Sequence, residues 1–518
     1  MISKIKNMKK YRYIIGFCVL LTGLVIFFAC EDRLDKPPLG DTEETFFTTQ
    51  DNYESAVLGM YAGLTYWYWY NNNNCIHMLW LLPGDDMTTK QEWPFESFNA
   101  ITPDDYRINY YWDMTYAINT RANIILEKVE QAAEGVYLDA DLKNWHRGEA
   151  LFIRALCSFK LFSWFGAAPV ITARVTGLGE QTKPPSSTGT QLLDQAITDL
   201  TEAATLLPDN WEDKYIGRAT SNAAYGLLGK CLVTRACYGG GNADYSDAIE
   251  AFNNISSDVQ LTPQFYSNFD AYNENNEESL FEFQASEAPG FDNIWLSNDF
   301  GSIGSMLGFF GYFNNVWSWW GNPCFVPTDK LLNAFETGDP RIDETFRSNA
   351  DAVFNGWEFI KYTNHDSQNW EGCSHNNNRI LRYGDILLLR AEAYLQTGNA
   401  AAALADVNSI RERARNSVPE GNPPSAVPAD LATVTMQDIM DERLRELAGE
   451  EERFVDLKRW HAAGYVNLGN WSAADWGPSL NASFDFAGWF AATQGDMMFP
   501  IPTDEVDLNP NITQNKGY

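Results

Sequence analysis

Apolar residues recur with the 3.6-residue period of an amphipathic helix along much of this chain. One helical face is formed by Tyr53, Ala56, Val57, Met60, Tyr61 and Leu64. The same period predicts helices over 106–129 and 142–165, and Gly166 ends the second of these. A capping box at Thr435 and Asp438 predicts the start of another helix, and 451–462 reads as helical again.

The helical pattern also repeats at a larger scale. Ala196, Leu200, Ala203 and Pro208 have the spacing of the second helix of a tetratricopeptide repeat, in which small residues let paired helices approach closely. Two further units with related spacing occupy 225–255 and 387–410. Three such units in one chain predict a mainly α fold, a tetratricopeptide-like helical-repeat scaffold.

The helical period weakens between the second and third units. Residues 261–376 are rich in Asn, Gly and aromatic residues, and within them only 278–284 alternates enough to predict a strand. We therefore expect a long irregular, aromatic-rich insertion in the helical scaffold. The predicted division is a signal peptide at 1–29, a tether at 30–48, helical repeats at 49–260, the insertion at 261–376, helical repeats at 377–466 and a loop-rich segment at 467–518.

The start of the chain has the pattern of an export signal. Five basic residues precede an apolar run at 13–29, and Ala29 stands directly before Cys30. Cleavage there would leave Cys30 as an N-terminal thiol that can carry a lipid. The alternative is a plain transmembrane helix, but the run is shorter than the roughly 20 residues that a bilayer core requires. Glu31 and Asp32 follow it, not the positive charge expected beside a spanning segment.

Net charge narrows the classes of partner, and the positions of two cysteines predict buried thiols. The net charge is −32, and removal of the five signal cations takes it to −37. A surface this acidic repels nucleic acid and anionic lipid alike, so a membrane attachment would depend on the lipid anchor. Cys157 and Cys231 lie in apolar helical patterns, where a buried free thiol is the expected state.

Sequence motifs for catalysis are lacking. None of the five histidines pairs with another at i+4, and neither a phosphate-binding loop nor a G-x-S-x-G motif occurs. We therefore predict no metal and no cofactor. Two of the 69 acidic residues could still act on a glycosidic bond, which keeps an all-helical glycoside hydrolase as an alternative. The mixed charges of 442–453 are typical of ion-paired helices.

Aromatic residues supply the candidate binding chemistry. Eleven rings fall within 291–325, in polar sequence where no single helical stripe could bury them all. Flat rings stack on the apolar faces of sugars while Asn side chains bond the hydroxyls, although the rings could instead form a core of the insertion itself. Smaller aromatic clusters at 66–70 and 93–95 compete. The candidate ligand-binding residues are Trp93, Asn99, Trp295, Asn314, Asn315, Trp317, Trp319 and Trp320.

Five motifs spread over the chain resemble those of the SusD/RagB family of outer-membrane lipoproteins from the Bacteroidetes. They are TEETFF at 42–47, RGEALFIRA at 147–155, RYGDILLLRAEA at 382–393, ERLRELAGEEERFVDLKRW at 442–460, and a closing segment at 499–518 that begins FPIP.

The resemblance implies a helical-repeat fold with a variable insertion, and a surface protein without enzymatic activity. It also implies a lipid anchor, a partner transporter of the TonB-dependent SusC type and a glycan captured for import. A peptide or protein receptor of the RagB type is the alternative within the family. No family motif fixes ligand positions, so the candidate site rests on the aromatic argument alone. The resemblance further implies that Arg453 and Asp456 are structural ion-pair residues.

Overall fold

A computed structural model describes residues 42–68, 77–89, 94–177, 179–285, 325–348, 357–362, 376–478 and 483–518. The predicted lipidation residue and most of the candidate ligand residues lie outside this part of the chain. They are Cys30, Trp93, Trp295, Asn314, Asn315, Trp317, Trp319 and Trp320.

Helices make up most of the described chain. The first group is α1 Glu43–Phe46, α2 Gln50–Tyr61, α3 Thr65–Tyr68, α4 His77–Leu81, α5 Pro94–Ser97, α6 Tyr106–Gln131, α7 Ala140–Phe165, α8 Gln191–Leu206, α9 Ser221–Arg235 and α10 Gly241–Asn253. The second group is α11 Asp329–Ala334, α12 Arg341–Thr345, α13 Tyr383–Gln396, α14 Ala400–Asn416, α15 Met436–Glu446, α16 Arg453–Ala462, α17 Ala473–Trp476, α18 Phe486–Ala492 and α19 Thr503–Leu508.

The predicted helices are confirmed, with ends that differ by no more than two residues for α6, α7 and α16. The predicted capping box is also present, because the Asp438 N–H donates to Thr435 Oγ1 and the Thr435 N–H donates to Asp438 Oδ2. The predicted mainly α fold is therefore the observed one.

The long helices stack in sequence, α6 on α7, α7 on α8, α8 on α9 and α9 on α10. The stack then continues directly from α10 to α13, and from α13 to α14, although residues 254–382 separate α10 from α13 along the chain. Close approach depends on small residues, as the repeat pattern predicts. A Cβ added at Gly229 of α9 would collide with the ring of Phe252 on α10.

Six short strands in the described ranges form three two-stranded antiparallel sheets. They are β1 Met87–Thr88, β2 Ser279–Phe283, β3 Val326–Pro327, β4 Phe346–Ser348, β5 Trp357–Phe359 and β6 Asn378–Arg382, paired as β1–β3, β2–β6 and β4–β5. The predicted strand at 278–284 corresponds to β2. The described part of 261–376 thus holds short elements that its weak periodicity did not predict.

A large hydrophobic core runs through the helices and the described part of the insertion, and a smaller second cluster lies among α13, α14 and α15. Phe265, Phe269 and Phe325 from the insertion are fully buried in the same cluster as Trp164 and Trp460. Phe325 is one of the eleven rings noted in the sequence, and it is a core residue. Cys157 and Cys231 are buried free thiols as predicted, and Cys237 is a third. Within the described ranges, no helix is long and apolar enough to span a bilayer.

Candidate functional site

The strand pair β1–β3 connects two stretches of sequence that hold candidate ligand residues. Met87 pairs with Pro327 and Thr88 with Val326. The strands are antiparallel, so the chain leaves β1 towards Trp93 at the same end of the pair where it arrives from 295–320. The described ends of these two stretches are therefore neighbours, although more than 200 residues separate them along the chain.

A buried carboxylate fixes this strand pair to the helical scaffold. Asp85 is 0 % exposed; Arg453 Nη2 of α16 donates to its Oδ2 at 3.1 Å, and Lys330 Nζ of α11 lies 2.6 Å from the same oxygen. Burial opposes ionisation of Asp85, but Arg453 and Lys330 outweigh it and hold the pKa of this carboxyl below its usual value. Thr328 Oγ1 also donates to the Asp85 carbonyl at 2.7 Å.

The neighbouring carboxylate, Asp86, has the opposite electrostatic environment. Its Oδ2 accepts a hydrogen bond from the Gly449 N–H at 3.1 Å, while its Oδ1 is buried without a hydrogen-bond partner. Burial and the adjacent charge of Asp85 raise the pKa of Asp86 to about 6. Ionised Asp85 therefore stabilises the strand pair. Ionisation of Asp86 at its buried position is unfavourable.

Asn99 is the one candidate ligand residue that lies in the described structure, and it is exposed. Its neighbours Phe98 and Ala100 have φ values of 55° and 61°, in the left-handed region that non-glycine residues avoid. Such backbone strain costs on the order of 1–3 kcal/mol per residue and is most often found at functional sites. The Asn99 N–H donates to Ser97 Oγ at 3.3 Å, which helps to hold this turn.

A cluster of aromatic rings packs against Phe98 of this strained turn. The Phe98 ring lies 4.9 Å from Phe486, 5.1 Å from Trp489 and 5.4 Å from Trp476, measured between centroids. The Asp485 N–H also donates to the Ser97 carbonyl at 2.7 Å. The C-terminal segment therefore holds Phe98 inward, and Asn99 is left on the outside.

The competing aromatic clusters are largely core. Trp67 and Tyr68 are 1 % exposed, and Phe95 is fully buried. The suggestion that the cluster at 66–70 binds a ligand is thus wrong for these two rings, which pack around Trp80 and Tyr111. Size and hydrophobicity alone could not have shown that these two rings are buried.

The ion-paired region predicted at 442–453 is confirmed, but it is buried. Glu446 accepts hydrogen bonds from Arg341, Arg382 and Arg413, which come from α12, β6 and α14. Arg443 Nε donates to Asp456 Oδ2 at 2.7 Å, so the implied structural role of Asp456 is also observed. These pairs join α12 of the insertion to β6 and α14, and α15 to α16. Across the described residues, no group of three or more His, Cys, Asp or Glu side chains could hold a metal ion.

Comparisons with known proteins agree on one family. The family model described as "SusD family" matches residues 344–518, and that described as "Starch-binding associating with outer membrane" matches residues 34–232. The chain is 27% identical to SusD-like protein P2 of Formosa agariphila, over 99% of this chain and 100% of that protein. It is 24% identical to the starch-binding protein SusD of Bacteroides thetaiotaomicron, over 77% of this chain and 76% of that protein.

The fold also has relatives among solved structures. Surface glycan-binding protein A from Bacteroides thetaiotaomicron, solved in complex with laminarihexaose, superposes with a TM-score of 0.69 at 21% identity, over 91% of this chain and 100% of that chain. At this level of identity the likeness establishes the helical architecture.

Proposed function

Because this chain belongs to the SusD family of carbohydrate-binding proteins, we propose that it captures a glycan at the cell surface for import. In this proposal a lipid on Cys30 anchors the protein to the outer membrane with its binding face outward. A TonB-dependent transporter of the SusC type is the partner that receives the glycan. The chain itself makes and breaks no covalent bond in the ligand.

We place the glycan site beside the β1–β3 pair. The observation that carries this placement is that the described ends of the two stretches are neighbours at one strand pair, with Asn99 exposed on a strained turn that follows β1 in the chain. In the proposed site Trp93, Trp295, Trp317, Trp319 and Trp320 stack on sugar rings. The amide groups of Asn99, Asn314 and Asn315 bond the sugar hydroxyls.

The expected affinity is low. A stacked ring contributes about 1 kcal/mol beyond its buried area, and a few such contacts with some hydrogen bonds correspond to dissociation constants of about 1 μM to 1 mM. Weak capture suits a protein that must release its ligand to a transporter.

Isothermal titration of the mature protein with soluble starch and laminarin tests the binding site. We expect Trp317→Ala/Trp319→Ala/Trp320→Ala to abolish measurable binding. Asn99→Ala should weaken binding by up to about tenfold, since a lost hydrogen bond contributes about 1.4 kcal/mol or less. The matched control is Asn416→Ala, an exposed asparagine at the end of α14. Unchanged glycan affinity in both site variants would show that the glycan binds elsewhere. Binding of peptide digests but of no glycan would instead favour a peptide receptor.

The anchor and the partner are tested in cells. We expect Cys30→Ala to prevent incorporation of labelled palmitate and to release the protein from the outer membrane, and Cys18→Ala to change neither. The wild-type protein should co-purify with a TonB-dependent transporter from detergent-solubilised membranes. Lipid labelling that persists in Cys30→Ala would refute the tether while leaving the glycan site open to its own test.

A further inference from the structure

A second concave site lies between the α8–α9 connection and β2. It is a cavity of about 260 Å³. Its wall includes Asp209, Asn210, Trp211, Asp258, Glu277 and Glu282. None of the residues named for the β1–β3 site takes part in this wall, so the two sites can be changed independently.

The apolar wall of this cavity is rigid. Trp211 is half-buried, its Nε1 donates to the Ala219 carbonyl at 2.8 Å, and the ring of Trp145 meets it at 5.2 Å between centroids. Leu280 and Phe281 of β2 continue the wall and are themselves buried. A ligand entering the cavity therefore meets a preformed apolar surface, and little ordering of protein side chains opposes binding.

The exposed charged side chains of the cavity wall are carboxylates. Asp209, Asp258 and Glu277 supply exposed carboxylates, and Asn210 supplies an exposed amide. The Glu282 carboxylate is buried and already accepts hydrogen bonds from Asn275 and Asn377, so it is not counted among these groups. These groups favour a ligand that donates several hydrogen bonds.

Arg218 supplies the guanidinium that the described residues contribute to the cavity wall. Its charge is already neutralised by two carboxylates. Arg218 Nε and Nη2 donate to the two carboxylate oxygens of Glu149, each at 2.6 Å, and Nη1 donates to Glu54 at the same distance. The net field of the cavity is therefore negative, and an anionic ligand would be repelled.

We propose that this cavity binds a short saccharide that carries no anionic group. Sugar rings combine apolar C–H faces with hydroxyl donors, which is the complement of an apolar wall beside carboxylates and amides. The volume, close to the roughly 300 Å³ at which small-ligand pockets begin, suits one or two sugar rings. This site would hold a second part of a long glycan, or a separate short one, without help from the β1–β3 site.

The experiment measures short sugars in a protein that lacks the proposed main site. Saturation-transfer NMR is recorded with maltose, glucosamine and glucuronate on the Trp317→Ala/Trp319→Ala/Trp320→Ala variant. We expect transfer to maltose, to glucosamine or to both, and none to glucuronate. Adding Asn210→Ala/Glu277→Ala should reduce the transfer at least fivefold. Both of these residues are exposed, so the melting temperature should stay the same.

The matched control adds Glu250→Ala/Asn254→Ala, a second exposed acid–amide pair that lies outside the cavity wall. It should leave the transfer unchanged. The proposal is overturned if neither maltose nor glucosamine receives saturation, if glucuronate receives as much as they do, or if the Asn210→Ala/Glu277→Ala change has no effect. Because the background variant lacks the main site, these results do not depend on whether that site binds glycans.

Discussion

Replacing Asp86 by asparagine should stabilise the protein at neutral pH, although it alters a fully buried residue. The pKa of Asp86 is raised from 3.8 to about 6, first by burial and then by the charge of Asp85. A carboxyl whose pKa is higher in the folded than in the unfolded state binds its proton more tightly when folded. Its ionisation therefore costs stability above pH 6, and that cost disappears as the pH falls towards 4.

The size of the effect follows from the pKa. Each tenfold change in proton affinity is worth about 1.4 kcal/mol, so ionised Asp86 costs up to about 3 kcal/mol at pH 8. The amide introduced by Asp86→Asn carries no charge there, and its oxygen can still accept the hydrogen bond from Gly449. A chain of about 490 residues, as remains after removal of the predicted signal peptide, has an unfolding entropy near 1 kcal/mol/K, so the gain corresponds to about 3 °C in Tm.

Asp85→Asn is the matched control, because it is the same chemical change one residue earlier. Here Arg453 and Lys330 lose their counter-charge, and a loss of about 3–5 kcal/mol is expected. Tm is measured by circular dichroism from pH 4 to pH 8 for the wild type and both variants. The Asp86→Asn gain should shrink steadily as the pH falls through 6. A loss of stability in Asp86→Asn at pH 8, or a gain that is independent of pH, would refute the reasoning.

Three further changes test the scaffold. Glu446→Gln removes the counter-charge shared by three arginines and should cost about 3–5 kcal/mol in urea unfolding, whereas a neutral result would mean that the buried network contributes nothing to stability. Gly229→Ala should destabilise by about 1–3 kcal/mol because its Cβ meets the Phe252 ring, and an unchanged Tm would contradict the close approach of α9 and α10. Ala100→Gly should stabilise by about 1 kcal/mol, since glycine adopts the left-handed backbone without strain; lower stability would argue against that conformation.

The long helices were predictable because their signal is local and repeated. The helix predicted at 106–129 contains more than six turns of apolar residues on one face, and it is observed as α6 with one boundary unchanged. The pairing of small residues such as Gly229 across α9 and α10 was likewise implied by spacing alone. The two- and three-residue strands β1, β3, β4 and β5 are too short to display any period, so no pattern could predict them.

The polar support of the candidate site was not predictable from a single sequence. Asp85 and Arg453 lie 368 positions apart, and no sequence motif links the two residues. The left-handed backbone at Phe98 and Ala100 could not be predicted from the sequence for a different reason. Non-glycine residues adopt it only when tertiary contacts impose it, and those contacts come from the C-terminal segment. Asn99 was a candidate from the sequence because its amide can bond sugar hydroxyls. In the structure it is exposed because the C-terminal segment holds Phe98 inward.

The buried charges beside β1–β3 also bear on how the proposed glycan site, although weak, could be effective. Asp85 joins β1 to Arg453 of α16 and to Lys330 of α11, so the base of the site is fixed to the same scaffold as the helical stack. A base fixed in this way loses little conformational freedom when a ligand arrives. The few kcal/mol gained from sugar stacking are then available for binding and are not consumed in ordering the strands. Loosening this base through Asp85→Asn should therefore lower glycan affinity as well as stability, even though Asp85 is buried and cannot touch the ligand.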